Sequence, residues 1–144
     1  MPMKWLSRWE VFALASALFA GLTAFFGKIG VMSINSNLAT FIRTVVVLLM
    51  TAGILSWRHQ WQWPNSGVKP WVYLILSGVA TGFSWVCYWR AMSLGPVSKV
   101  ASIDKLSIAF AVVLGILFLG ESLTWQTALG AGLIIAGALV ILIV

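Results

Sequence analysis

The chain has 144 residues, of which 61% are apolar and only 8% charged, against a charged share of ~25% in soluble domains. With a mean hydropathy of +1.02, that composition excludes a water-soluble fold and indicates an integral membrane protein. The net charge of +6 does not point to nucleic acid. Its lysines and arginines stand singly beside or inside apolar runs, with no basic stretch interleaved with aromatic residues.

One cysteine, Cys87, and one histidine, His59, allow no intrachain disulfide and no Cys- or His-based metal site. Nothing in the sequence signals an organic cofactor either. The N-terminus lacks the basic region, short apolar core and small-residue cleavage site of a removable leader. The first apolar run is therefore expected to stay in the mature protein.

Ser7 and Glu10 read as a capping box at the head of the first helix, with a proton-coupling role for Glu10 as the alternative. That helix is predicted over about Val11–Val31, long enough for a ~30 Å hydrocarbon core. Small residues recur along it: Ala13, Ala17 and Gly21 on one row, Ala20 and Ala24 on another. Such rows let helices approach closely in lipid. Lys28 ends the second row, either snorkelling to the interface or lining a cavity.

A polar, uncharged link, Met32–Leu38, leads to a second span over about Ala39–Leu55. Thr40, Arg43, Thr44, Val47 and Thr51 share one side, expected to be buried against protein. Arg43 lies about a turn inside, facing either a cavity or the headgroups. The polar loop Trp57–Pro70 follows, crowded by Trp57, Trp61, Trp63 and Trp71. With Trp5, Trp9 and Trp125 these are expected to anchor one membrane face.

The third span is predicted over about Val72–Met92. Ser77, Thr81, Ser84 and Tyr88 recur as one polar stripe, and Gly78 and Gly82 form a close-approach face beside it. Trp85 and Trp89 lie outside the interfacial belt. Trp85, next to the stripe, is the expected aromatic wall of a binding site, with helix packing as the alternative.

The stretch Arg90–Phe110 holds the densest charge: Arg90, Lys99, Asp104 and Lys105 around a Gly95-Pro96 turn. A charge facing mid-membrane lipid costs at least ~2.5–3.5 kcal/mol, so such residues normally face a bundle interior or a wet cavity. The fourth span is predicted over about Val97–Leu119, with Ser98, Ser102 and Lys105 on one face. Asp104 stands about 100° round the helix from Lys105, serving an adjacent face without a built-in ion pair. Both lie on the order of 10 Å in from Pro96 at 1.5 Å per residue. Gly120 is expected to end that helix, and Thr124 to cap a last, charge-free span, Trp125–Val144. Its small residues Ala128, Gly132 and Ala136 mark an association helix.

Five spans make residues 1–144 one five-helix, all-α unit with its termini on opposite sides. Lys4, Arg8, Arg58 and Lys69 then face one side, and Lys28, Arg43, Arg90, Lys99 and Lys105 lie towards the other. Four against five is too even to set an orientation, and suits insertion both ways round.

The turn Gly95-Pro96-Val97-Ser98-Lys99-Val100-Ala101, the following Asp104-Lys105-Leu106-Ser107, the Leu119-Gly120-Glu121 turn and the Gly-rich last helix resemble the EamA domain. That domain is the repeat unit of the drug/metabolite transporter superfamily. Asn35-Ser36-Asn37-Leu38-Ala39-Thr40-Phe41-Ile42-Arg43-Thr44 resembles short, single-domain members. The resemblance covers nearly the whole chain and implies one half of an inverted-repeat transporter, completed by an antiparallel second copy or an inverted partner subunit. Related small multidrug resistance proteins couple transport to protons through a Glu in their first helix. Ala13–Ala24 holds no acidic residue here, which leaves Asp104 as the coupling candidate.

The expected function is thus alternating-access transport of a small metabolite or drug across the bacterial cytoplasmic membrane. The solute would contact Ser84, Trp85, Tyr88, Asp104 and Lys105, with Arg43 and Lys28 nearer the mouth. The excess of cations favours anionic or zwitterionic solutes. A non-catalytic subunit of a larger membrane complex, such as a translocator of a lipid-linked precursor, is the alternative. An enzyme is not expected: no paired carboxylates, no histidine within a span and no nucleophile–base spacing are present.

Overall fold

The structure, a computed structural model, describes residues 9–143 apart from 64 and 66. All of its regular elements are helices: α1 (Trp9–Val31), α2 (Ser36–Trp57), α3 (Val68–Leu94), α4 (Val97–Asp104), α5 (Ser107–Leu119) and α6 (Trp125–Ile143). They make five segments long and apolar enough to cross a membrane, α4 and α5 together forming the fourth. The protein is an all-α, multi-pass integral membrane protein, as its composition requires. Trp5 and Ser7 lie outside the described residues, and with Ser7 so does its half of the expected Ser7–Glu10 capping box. Val144, the expected end of the last span, does too.

The observed helices overrun the predicted spans at their polar ends. α2 starts at Ser36, where the Asn35 side chain accepts the Asn37 backbone N–H at 2.9 Å, an N-cap that draws part of the polar link into the helix. α3 starts at Val68 and holds Pro70 in its first turn, where a missing N–H breaks no helical bond.

Contacts divide the chain into two compact units. One comprises residues 25–94: the last turns of α1, then α2 and α3. Helices α2 and α3 pack as an antiparallel pair, joined by the Trp-rich loop. His59 takes a left-handed φ of 52° as α2 ends, and the Gln60 N–H returns to the Leu55 carbonyl at 2.9 Å. The loop's aromatic residues are held in place: the Trp61 indole N–H donates to Ser56 Oγ at 3.0 Å, and Trp63 stacks on Trp71 with ring centres 5.6 Å apart. The tightest packing lies at the other end of the pair, where Trp89 and Met92 are 1% and 0% exposed.

The other unit comprises residues 1–24 and 95–144, in which α4 and α5 pack on α6. The fourth span is not the single helix that was predicted. The N–H groups of Lys105, Leu106, Ile108 and Ala109 reach carbonyls three residues back, a tight 3₁₀-like break between α4 and α5. α5 ends at Gly120, whose φ of 67° is the left-handed conformation glycine adopts without strain. The N–H groups of Gly120 and Glu121 thereby both return to the Gly115 carbonyl. Thr124 caps α6 as expected, accepting the Thr127 N–H at 3.2 Å.

Candidate functional site

Within residues 25–94, Arg43 of α2 meets Trp85 and Trp89 of α3, with Tyr88 against Trp89. The Arg43 guanidinium carbon sits 3.9 Å from the centre of the Trp89 indole and 5.9 Å from that of Trp85. A desolvated contact of the closer kind is worth about 2 kcal/mol. Tyr88 meets Trp89 edge-on, with ring centres 5.0 Å apart. The indole reaches this depth because residue 27 is glycine; a Cβ there would overlap its six-membered ring. On the same turn of α1, the Lys28 ammonium donates to the Met92 carbonyl at 2.8 Å, tying the last turns of α1 and α3 together.

Two donors in this cluster are buried without a hydrogen-bond partner: Arg43 Nε and Trp89 Nε1. A buried, unpaired donor costs ~1–3 kcal/mol, more when charged. Native structures leave few such groups, so two on residues in contact need a reason. Beside Arg43 a cavity of about 230 Å³ is lined by Phe26, Gly30, Val31, Ala39, Ile42 and Arg43, among others. Arg43 is its one charged lining residue.

Trp89 is the residue that sequence reasoning passed over. The i, i+4 spacing puts Trp85 and Trp89 on one helical face, which was readable, but the choice between them depended on Gly27, 62 positions away. The rest of the α3 stripe is less engaged. Ser84 and Thr81 are exposed, and the Thr81 hydroxyl turns back to the Ser77 carbonyl at 2.9 Å.

The expected buried side of α2 is corrected: only Thr40 is buried and Arg43 partly so, while Thr44, Val47 and Thr51 are exposed. Thr40, Thr44 and Thr51 satisfy their hydroxyls on carbonyls four residues back, at 2.8–2.9 Å. This lets polar side chains face an apolar surround at low cost.

Within the other unit, Asp104 and Lys105 form an ion pair at 3.5 Å, contrary to their predicted independence. Consecutive residues on an unbroken helix diverge. Here the turn tightens between α4 and α5, and the two side chains converge. Both remain 40% or more exposed. Ser102 donates to the Ser98 carbonyl at 2.6 Å, so the Ser102 hydroxyl is satisfied on its own helix.

Among the described residues no three His, Cys, Asp or Glu side chains group together to hold a metal ion, and Cys87 is an exposed free thiol.

Five apolar spans, with cations and a carboxylate inside them and a cavity beside an in-span arginine, define a polytopic membrane protein built around polar intramembrane groups. The comparisons with known proteins sharpen this class. The chain belongs to the EamA-like transporter family, which matches residues 7–143. It is similar to a protein of Sinorhizobium sp. described as an uncharacterized transporter in the cobO 3′ region. The two are 50% identical over 134 residues, 92% of this chain and 95% of that protein. No solved structure matches. The protein is a membrane transporter.

Proposed function

We propose that the protein moves a small organic solute across the bacterial cytoplasmic membrane by alternating access, working as two copies inserted in opposite senses. The observation that carries this reading is the Arg43 guanidinium, seated on Trp89 inside a membrane span. Ionised side chains at such depth belong to solute pathways far more often than to lipid-facing surfaces.

The solute is held by Arg43, Trp85 and Tyr88, with Ser84 exposed on the same helix; Lys28 fixes the α1–α3 contact behind them. Asp104, paired with Lys105 at the helix break, carries the coupling. It is the one carboxylate among the described residues more than a turn from the end of a span. Broken helices are where transporters commonly place ion and substrate groups.

Two features support an opposed pair of copies. The flanking charges are balanced, so insertion both ways round meets no strong bias. On α6, a Cβ at Gly132 would meet nothing within 4 Å, and with Ala128 and Ala136 it makes a row of small residues open to close approach by another helix. The Sinorhizobium relative, nearly all of which aligns, is of similar size.

Reconstitution into liposomes tests the reading. Solute counterflow should appear with the purified protein and disappear in Asp104→Asn and Arg43→Gln, with both variants eluting as folded protein. Counterflow undiminished in both variants would remove the site.

A further inference from the structure

We infer that the cavity beside Arg43 is a binding site for a single anionic group, a carboxylate by preference, carried on a small apolar or aromatic body. This deepens the transport reading and rests on it only for the claim that the bound anion is cargo.

Four observations bear on Arg43, which lines the cavity. Arg43 Nε and Trp89 Nε1 are both buried donors with no acceptor, and neither residue can itself supply one. The unit they belong to, residues 25–94, contains five cations, namely Lys28, Arg43, Arg58, Lys69 and Arg90, and not one Asp or Glu. No carboxylate of that unit can therefore answer Arg43. The guanidinium face is occupied by the indole at 3.9 Å, which holds the planar group still and leaves its edge for recognition; planar two-oxygen anions match that edge. The adjoining cavity is apolar except for Arg43, with Phe26, Val31 and Ile42 in its wall.

The cavity's size limits the ligand. About 230 Å³ lies below the ~300–1,000 Å³ of drug-sized sites, enough for a ring or short alkyl chain and one charged head. A cation is excluded by Arg43. A neutral polar solute would leave the guanidinium charge uncompensated. The same chemistry, an anion on an apolar body, describes both a free organic acid and an anionic lipid whose head reaches Arg43, and these sources are separable by experiment.

The test is calorimetric titration of the purified protein in an uncharged maltoside detergent. Phenylacetate is the probe, and phenylacetamide is its uncharged counterpart. Phenylacetate should bind saturably to the unaltered protein and phenylacetamide should not. Arg43→Gln should weaken phenylacetate binding at least tenfold. Arg43→Lys, which keeps the charge but loses the planar edge, should fall between. The phenylacetamide comparison uses the unaltered protein, so it stands even if a variant folds poorly.

Phosphatidylglycerol that displaces phenylacetate competitively would support the anion site and assign its natural occupant to the membrane. No competition would support a free acid. Equal binding by the unaltered protein and a folded Arg43→Gln, equal binding of acid and amide, or no saturable binding at all, would overturn the inference. Binding in detergent requires neither flux nor opposed copies. Retained binding without transport would therefore sink the transport reading alone, and transport without Arg43-dependent binding would sink only the ligand class.

Discussion

Gly27 and Trp89 fit together as notch and ring: the indole of α3 lies where a Cβ on α1 would stand. Trp89 is 1% exposed, so it has nowhere to retreat. Gly27→Ala should therefore destabilise the protein and displace the ring from Arg43. Gly21→Ala and Gly30→Ala meet nothing within 4 Å and should be neutral or gain up to ~1 kcal/mol from helix propensity. Melting temperatures of the three variants in one detergent check this; equal melting of Gly27→Ala and Gly21→Ala would contradict the notch.

Trp89→Ala should be among the most damaging substitutions in the chain. It leaves a void, at ~24 cal/mol per Å³, and removes a cation–π contact of about 2 kcal/mol, for a loss of about 3–5 kcal/mol. Trp89→Phe keeps a ring under Arg43 and should lose less than half of that. Denaturation in mixed micelles ranks them. A Trp89→Ala protein as stable as Trp89→Phe would show that the ring does not support Arg43.

Left-handed φ values at two helix ends make opposite predictions. Gly120, at φ 67°, accepts that conformation freely, so Gly120→Ala should cost about 1 kcal/mol. His59, at φ 52°, adopts it against a penalty of ~1–2 kcal/mol, so His59→Gly should recover part of that penalty. Parallel melting curves of the two variants should shift in opposite directions; shifts of the same sign would contradict the turn geometries.

How much of this was readable from sequence follows from the range of each interaction. The five spans, the Gly95-Pro96 turn, the Gly120 stop and the Thr124 cap depend on residues within a few positions of each other, and all are present. The break at Lys105–Leu106 was missed because no proline or glycine marks it. The Asp104–Lys105 pair was missed for the same reason, since its geometry exists only because the helix breaks. Choosing Trp89 over Trp85 required Gly27, and no periodicity connects positions 62 residues apart. The polar stripe on α3 was legible as a pattern, but Thr81 satisfies itself on its own helix, which a pattern of polar residues does not reveal.

On α6 the open glycines predict where two copies meet. In a Cys87→Ser background, Gly132→Cys lies near the middle of the helix and should cross-link to its counterpart on a second copy. Ala128→Cys, near one end, should cross-link poorly to itself and well to Ala136→Cys on another copy, since opposed helices crossing at Gly132 bring these two positions together. Strong self-linking at Ala128→Cys would instead indicate parallel helices.

The opposed arrangement is tested most directly by where the C-terminus lies. Reporter pairs fused after Val144, one active only inside the cytoplasmic membrane and one only outside, read the orientation of every inserted copy. Signal from both reporters at comparable levels is the expected result, and it means that one sequence supplies both halves of the transporter. Signal from one reporter alone would contradict the paired, opposed copies and require a separate inverted partner.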